Sequence, residues 1–157
     1  MTQEEFTSRV LAMQDTLYRI ATTILPQLCD REDAVQSAIE RALRRRASLR
    51  DDRALEKWLS RILINECYTL LRRRRYEVPT EQLPERETAP DAHPELYRHF
   101  TALEKRYRLP MLLYYVEGYT LAETAQILHL PRGTVKSRLH RGRLILRRAI
   151  DPAEEEP

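Results

Sequence analysis

The chain has 157 residues, of which 42% are hydrophobic and 32% are charged, a balance typical of a folded protein and not of a disordered or membrane-spanning one. No apolar run approaches the roughly 20 residues that cross a bilayer, and the N-terminal sequence lacks the basic start and apolar core of a secretion signal. We therefore expect one domain or two small ones, located in the cytoplasm.

The composition also argues against an enzyme and against a metal site. Cys29 and Cys67 lie far apart, and the four histidines are scattered along the chain. No Ser/His/Asp arrangement, metal-ligand spacing or glycine-rich phosphate loop is present. We expect no catalytic residue, no metal, no cofactor and no small-molecule substrate, and we expect both cysteines to be reduced and packed in helices.

The positive charge is modest in total but unevenly distributed. The formal net charge is +3. Arginine residues cluster at 41–46, at 72–75 and over 132–148, whereas residues 77–95 and the C-terminal tail are acidic. Clusters of this kind indicate a polyanionic partner.

Apolar residues in the first half of the chain recur every three or four positions, which predicts helices and not strands. Thr2 and Glu5 have the pattern of a capping box, and the spacing after them predicts one long helix that is disturbed near Pro26. A second helix is expected to begin at Asp30 as its N-cap. A third begins near Asp52 and ends in the arginine residues 72–75. The predicted apolar faces are Phe6, Val10, Met13, Leu17, Ile20 and Ile24 on the first helix, Ala34, Val35, Ala38, Ile39, Ala42 and Leu43 on the second, and Leu55, Trp58, Leu59, Ile62, Leu63, Leu70 and Leu71 on the third.

These patterns predict an all-α fold with two small helical domains joined by a Pro-rich acidic linker. Residues 1–76 form the first domain, residues 77–94 form the linker, and residues 95–151 form the second domain. Within the second domain we expect a helix over 95–107 and another that begins at Pro110.

The remainder of the second domain has the pattern of a helix-turn-helix. Gly118 suits a left-handed helix end, Thr120 and Glu123 form a second capping box, and Pro131 suits the first turn of the last helix. Val135 and Leu139 would face inward, as would Leu121, Ala125, Leu128, Leu146 and Ile150, and Gly142 would be a small residue on the inward face. The opposite face is small near its beginning and basic throughout, as expected for a helix that enters the major groove of DNA. The alternative is a solvated basic face on an ordinary helical hairpin.

The stretch "EGYTLAETAQILHLPRGTVKSRLHRGRLILRR" resembles the promoter-reading domain of the extracytoplasmic-function class of bacterial sigma factors, most specifically in "GTVKSRL". The resemblance implies that this domain reads the minus-35 promoter element. Gly133 would allow close approach, Thr134, Ser137 and Arg141 would contact base edges, and Arg132, Lys136, Arg138 and Arg143 would hold phosphates.

Two segments of the first domain carry the same resemblance. "DREDAVQSAIERAL" is similar to the sigma helix that docks on the clamp helices of the largest RNA polymerase subunit, which implies that Asp33, Gln36 and Glu40 face polymerase; alternatively, the acids only complement the helix dipole. "ALEKWLSRILINECYTLLRRRR" resembles the segment that recognises the minus-10 element. That similarity implies DNA contacts by Arg61, Asn65, Arg72 and Arg73, although Asn65 would serve equally to satisfy a neighbouring backbone group.

The leading hypothesis is a transcription initiation factor that binds the RNA polymerase core and directs it to promoters by reading the minus-10 and minus-35 elements. The resemblance further implies promoter DNA and an anti-sigma factor as partners. A stand-alone helix-turn-helix repressor or activator that dimerises through residues 1–76 is the alternative, and it predicts a symmetric operator.

Overall fold

The computed structural model describes residues 1–74 and 94–152. The chain divides into two compact units, and the boundary between them falls after Glu85, outside the described residues. All regular elements in the described ranges are helical, which confirms the predicted all-α fold with two helical domains. The predicted linker, except for its last residue, lies outside the described residues. No helix in the described ranges is long and apolar enough to cross a membrane.

The first unit contains four helices: α1 (Gln3–Ala12), α2 (Gln14–Ile24), α3 (Leu28–Arg44) and α4 (Leu55–Arg74). Short 3-10 turns at Arg46–Ser48 and Asp52–Ala54 lie between α3 and α4. Helices α2, α3 and α4 pack against one another around a core that excludes solvent. Its fully buried large side chains are Phe6, Val10, Leu17, Ile20, Ile24, Leu25, Leu55, Leu59, Leu63 and Ile64.

The predicted long first helix is two helices, because the backbone turns at Met13. The capping box is present: the Glu5 N–H donates to Thr2 Oγ1 at 3.1 Å, and Glu5 Oε2 accepts from the Thr2 N–H at 2.8 Å. Met13 then has φ −86° and ψ 0°, and its N–H donates to Val10 O at 3.1 Å. The apolar spacing continues in phase through Met13, which is itself buried, so the break leaves no trace in the pattern.

The predicted second helix corresponds to α3, which begins at Leu28 with Gln27 as its N-cap. The prediction that Asp30 is the cap is therefore wrong. Asp30 lies inside the first turn and is 1% exposed. The inward face is otherwise close to expectation, except that Leu43 is 43% exposed. Trp58, predicted as core, is half-buried and meets the Phe6 ring edge-on, with 6.2 Å between the ring centroids.

The second unit contains α5 (Pro94–Ala102), α6 (Lys105–Met111), a π-helical turn (Leu112–Val116), α7 (Leu121–Leu128) and α8 (Arg132–Ile150). The expected helix over 95–107 is interrupted after Ala102. Pro110 does not begin a helix but lies inside α6. The core cluster consists of five buried residues, Leu103, Met111, Ala125, Val135 and Leu139. Phe100 and Leu146 are partly buried and pack against this cluster. Ile150, expected to face inward, is 49% exposed.

Candidate nucleic-acid and polymerase interfaces

A capping box begins α7, and a left-handed residue ends it before α8. The Glu123 N–H donates to Thr120 Oγ1 and the Thr120 N–H donates to Glu123 Oε1, both at 3.1 Å, which confirms the second capping box. Gly118 has φ +77°, as expected for a left-handed helix end. After α7 the backbone turns at His129, which has φ 53°, and Pro131 is the N-cap of α8 and not a residue of its first turn. These elements form the predicted helix-turn-helix.

One face of α8 is anchored to α6 at very short range. Val135 is fully buried and Leu139 is 5% exposed. Gly142 lies where a Cβ atom would be 2.6 Å from Met111 Sδ and 3.3 Å from Tyr107 Cβ, so a side chain here collides with α6. The absence of a side chain at Gly142 therefore brings α8 close to α6, as predicted for a small inward residue, and it fixes which face of α8 points outward.

The outward face of α8 carries the residues predicted to read the minus-35 element. The exposed residues are Arg132, Gly133, Lys136, Ser137 and Arg141. Thr134 and Arg138 are half-buried. A Cβ atom at Gly133 would have no neighbour within 4 Å, so the backbone of α8 is open to a ligand there. The helix contains no Asp or Glu, so no carboxylate of its own sequence offsets its positive charge, which favours phosphate binding.

A tyrosine that the sequence did not single out contacts α8 at Arg143, on the flank of the outward face. Arg143 Nη1 donates a hydrogen bond to the hydroxyl oxygen of Tyr115 at 2.8 Å. Tyr115 lies in the π-helical turn, where it is exposed together with Tyr114 and Val116. A π-helical turn has no clear sequence signal, and only the run of apolar residues before Gly118 marked the segment.

The residues predicted to face polymerase lie together on the exposed side of α3. Asp33, Gln36 and Glu40 are all exposed, and Gln36 Nε2 donates to Glu40 Oε1 at 3.4 Å. Ala34 and Ala38, on the opposite side, are fully buried against α2 and α4. The helix therefore presents an acidic and amide surface whose position is fixed by small core residues behind it.

Three of the four residues predicted to contact the minus-10 element share one face of α4. At about 100° per residue, Arg61, Asn65 and Arg72 fall within a sector of about 40°, whereas Arg73 lies roughly 100° away from it. Asn65, Arg72 and Arg73 are exposed and Arg61 is half-buried, and this burial lowers the pKa of the Arg61 guanidinium. Thr69 joins two of them, because its hydroxyl donates to Asn65 O at 2.8 Å and accepts from Arg72 Nη2 at 3.3 Å.

The arginine run at the end of α4 does not act as a single group. Arg74 forms a two-pronged ion pair with Asp30, with 2.6 Å from Nη2 to Oδ1 and 3.1 Å from Nε to Oδ2. Arg72 and Arg73 are exposed, and Arg75 lies outside the described residues. The structure thus separates a residue that joins two helices from those open to a ligand. In the described ranges, no group of three or more His, Cys, Asp or Glu side chains is placed to hold a metal ion.

Two helical units, one of which carries a helix-turn-helix with an acid-free basic face, define a DNA-binding protein. Comparison with known proteins specifies the family. Residues 10–76 match the model of Sigma-70 region 2, and residues 95–146 match that of Sigma-70, region 4. The RNA polymerase sigma-E factor of Streptomyces coelicolor is 35% identical over 93% of this chain and 86% of its own length. The ECF RNA polymerase sigma factor SigM of Mycobacterium tuberculosis is 33% identical over 85% of this chain and 71% of its own.

The chain therefore belongs to the sigma-70 family, in its extracytoplasmic-function branch. It is a transcription initiation factor that directs RNA polymerase to promoters; its relatives are sigma factors, which are not enzymes. Two solved structures share the fold. RpoE of Bartonella quintana, in complex with the anti-sigma factor NepR, has a TM-score of 0.77 and 22% identity over 94% of this chain and 98% of its own. CnrH, in complex with the cytosolic domain of CnrY, has a TM-score of 0.71 and 24% identity over 96% and 90%.

Proposed function

We propose that this sigma factor divides its work between two units. Residues 1–76 bind the polymerase core and the minus-10 element, residues 95–151 bind the minus-35 element, and residues 77–94 join them. The observation that most directly supports this proposal is the difference between two faces of α8. Val135 and Leu139 are buried, whereas Lys136 and Arg141 are exposed on a helix that contains no Asp or Glu. The protein performs no catalysis and works in the cytoplasm, where promoters are.

Transcription by the reconstituted holoenzyme tests this assignment. Core polymerase with the full chain is expected to start transcription at defined sites on genomic fragments, and the mapped start sites give both promoter elements. Arg141→Ala should reduce run-off product from those promoters, whereas Arg98→Ala, which removes an exposed arginine on α5, is the matched control. Active core that produces no specific transcript with this chain would contradict the proposal.

Docking on polymerase is assigned to Asp33, Gln36 and Glu40, because their exposed polar atoms lie on one rigid helix face. Reversing one charge places a cation where the partner has adapted to an anion, which should weaken core binding about tenfold or more. We expect this from Asp33→Lys and Glu40→Lys, measured by titration of labelled chain with core polymerase. Glu4→Lys, an exposed reversal on α1, is the control and should retain affinity.

Control by an anti-sigma factor is the second element of the proposal. It is supported by the two similar structures, each solved in complex with a protein partner, one of them named as an anti-sigma factor. The test is affinity capture of the tagged full chain from its own cells, followed by addition of the captured protein to the run-off assay. Loss of transcription that excess sigma chain restores supports the partner, and unchanged transcription contradicts it.

A further inference from the structure

The bond between Tyr115 and Arg143 connects the π-helical turn to the middle of α8. The donor is a guanidinium nitrogen of Arg143 and the acceptor is the Tyr115 hydroxyl oxygen, 2.8 Å away. The Tyr115 ring is itself supported by Tyr114, which meets it edge-on at 90° with 4.9 Å between the centroids. The acceptor is therefore held in place by a second aromatic ring, although both tyrosines are exposed.

Arg143 lies in line with two residues already assigned to phosphates. At about 100° per residue, Arg132, Lys136 and Arg143 fall within about 40° of one another on α8. With a rise of about 1.5 Å per residue, the row extends for about 16 Å along the flank that adjoins the outward face. All three side chains are exposed. Arg143 thus extends the cationic row beyond the N-terminal part of the helix.

The chemical nature of the acceptor distinguishes this arginine from several in the first unit. There Arg9 pairs with Glu56, Arg41 with Glu66, and Arg74 with Asp30, so a carboxylate balances each of these charges. Tyr115 offers a neutral hydroxyl, which orients the guanidinium and leaves its positive charge in place. An arginine has five N–H donors, so the others remain available to an anionic oxygen.

We propose that Tyr115 is a positioning residue that holds Arg143 ready to contact a phosphate of promoter DNA. This inference rests on the proposed function, since it takes α8 as the helix that meets DNA. A long side chain that is already oriented loses less rotational freedom when it binds. Loss of the hydroxyl should therefore weaken DNA binding roughly two- to tenfold while the folded structure is unaffected.

A phosphate contact is independent of sequence, so a mixed-sequence duplex of about 30 base pairs serves as the probe. Binding of the full chain is followed by fluorescence anisotropy at salt concentrations from about 50 to about 200 mM. Tyr115→Phe, which removes only the hydroxyl, should weaken binding by the stated factor. Tyr114→Phe, its exposed neighbour, is the matched control and should bind like the parent. Arg143→Ala should weaken binding and lower the slope of log K against log salt by about 1.

The double variant separates positioning from a general structural effect. If Tyr115 acts through Arg143, Tyr115→Phe has no further effect on binding in the Arg143→Ala background. The thermal unfolding midpoint of Tyr115→Phe should equal that of the parent. Equal losses in both backgrounds, or a Tyr115→Phe variant that binds like the parent, would overturn the proposal. The duplex assay contains no polymerase, so its failure is distinguishable from a failure of holoenzyme transcription.

Discussion

Arg74 donates two hydrogen bonds to the Asp30 carboxylate, from Nε and from Nη2, and this ion pair joins the last turn of α4 to the first turn of α3. The two side chains are unequally placed: the Asp30 carboxylate is 2% exposed, whereas the Arg74 side chain is 45% exposed. The carboxylate depends on its partner, because a buried charge without one loses its hydration and gains nothing in return. The bond is therefore a structural tie between α4 and α3.

Arg74→Met should lower the free energy of unfolding by about 1–3 kcal/mol, because it leaves the Asp30 carboxylate buried without its cation. The measurement is denaturant unfolding of the full chain. Arg73→Met, one residue earlier and exposed, is the matched control and should stay within about 0.5 kcal/mol of the parent. Adding Asp30→Asn to Arg74→Met should restore part of the loss, since the unpaired charge is then gone. A double variant less stable than Arg74→Met alone would argue against the tie.

The two glycines of α8 should respond oppositely to the same substitution. A methyl group at Gly142 meets Met111 and Tyr107, whereas one at Gly133 meets nothing within 4 Å. We expect Gly142→Ala to be less stable than Gly133→Ala by about 1–3 kcal/mol, the usual cost of overpacking. Gly133→Ala should fold normally and yet weaken binding to promoter DNA, because the methyl group occupies the open surface. Thermal unfolding and promoter binding by holoenzyme, measured on both variants, check the two halves of this prediction.

Thr124 is a position at which a substitution is expected to raise the stability of the folded chain. The residue is fully buried on α7, and its hydroxyl makes no hydrogen bond within the described residues. Thr124→Val keeps the shape and removes the polar group, so it should raise the free energy of unfolding by about 1 kcal/mol. Thr120→Val is the contrasting control: it deletes the capping hydroxyl and should cost about 1 kcal/mol. If Thr124→Val were destabilising, its hydroxyl would have a partner in solution.

The two cysteines should differ in reactivity and in their effect at high pH. Burial, and then the charge of Glu66, raise the pKa of the Cys67 thiol from 9.0 to about 12, whereas Cys29 is exposed. One thiol of the native chain should react rapidly with a maleimide, and the second only after unfolding. Because unfolded Cys67 loses its proton near pH 9 and folded Cys67 keeps it, stability should fall as the pH rises above 9. Cys67→Ala should flatten that fall and Cys29→Ala should not.

Substitutions of Lys136 and Arg141 on α8 should affect DNA binding in different ways, because the two side chains are proposed to contact different parts of the DNA. Lys136→Ala should lower the salt slope of DNA binding by about 1 for every sequence, as expected when one phosphate contact is lost. Arg141→Ala should instead change which minus-35 sequences are preferred, because a guanidinium in the major groove reads base edges. Holoenzyme binding to a library of minus-35 variants at several salt concentrations distinguishes the two. Identical behaviour of both variants would refute this division of roles.

Features determined by neighbours in the chain were predictable from the sequence. Both capping boxes, at Thr2 and at Thr120, formed as predicted, because each needs only a hydroxyl and a carboxylate three residues apart. The same holds for the positive φ of Gly118. Gly142 was recognisable as an inward residue because helical spacing places it with Val135 and Leu139, although its contact with Met111 was not.

Features determined by distant residues were not predictable. Asp30 has the sequence context of an N-cap, and only its partner, 44 residues further along the chain, explains why it is buried inside α3. A proline usually marks the beginning or the end of a helix, yet Pro110 lies within α6. The link between Tyr115 and Arg143 spans 28 residues and depends on a π-helical turn. For the same reason the arginine residues 72–75 look equivalent in the sequence, although Arg74 pairs with Asp30 in the fold.

The division of α8 into an anchored face and an open face has a consequence for how such proteins diversify. The residues that fix the helix in its unit, Val135, Leu139 and Gly142, are distinct from those that face outward, Lys136, Ser137 and Arg141. If the outward face reads the promoter as we propose, its residues can change in a duplicated gene without disturbing the packing beneath them. A bacterium can in this way acquire a separate set of regulated genes while the architecture that presents α8 is inherited unchanged.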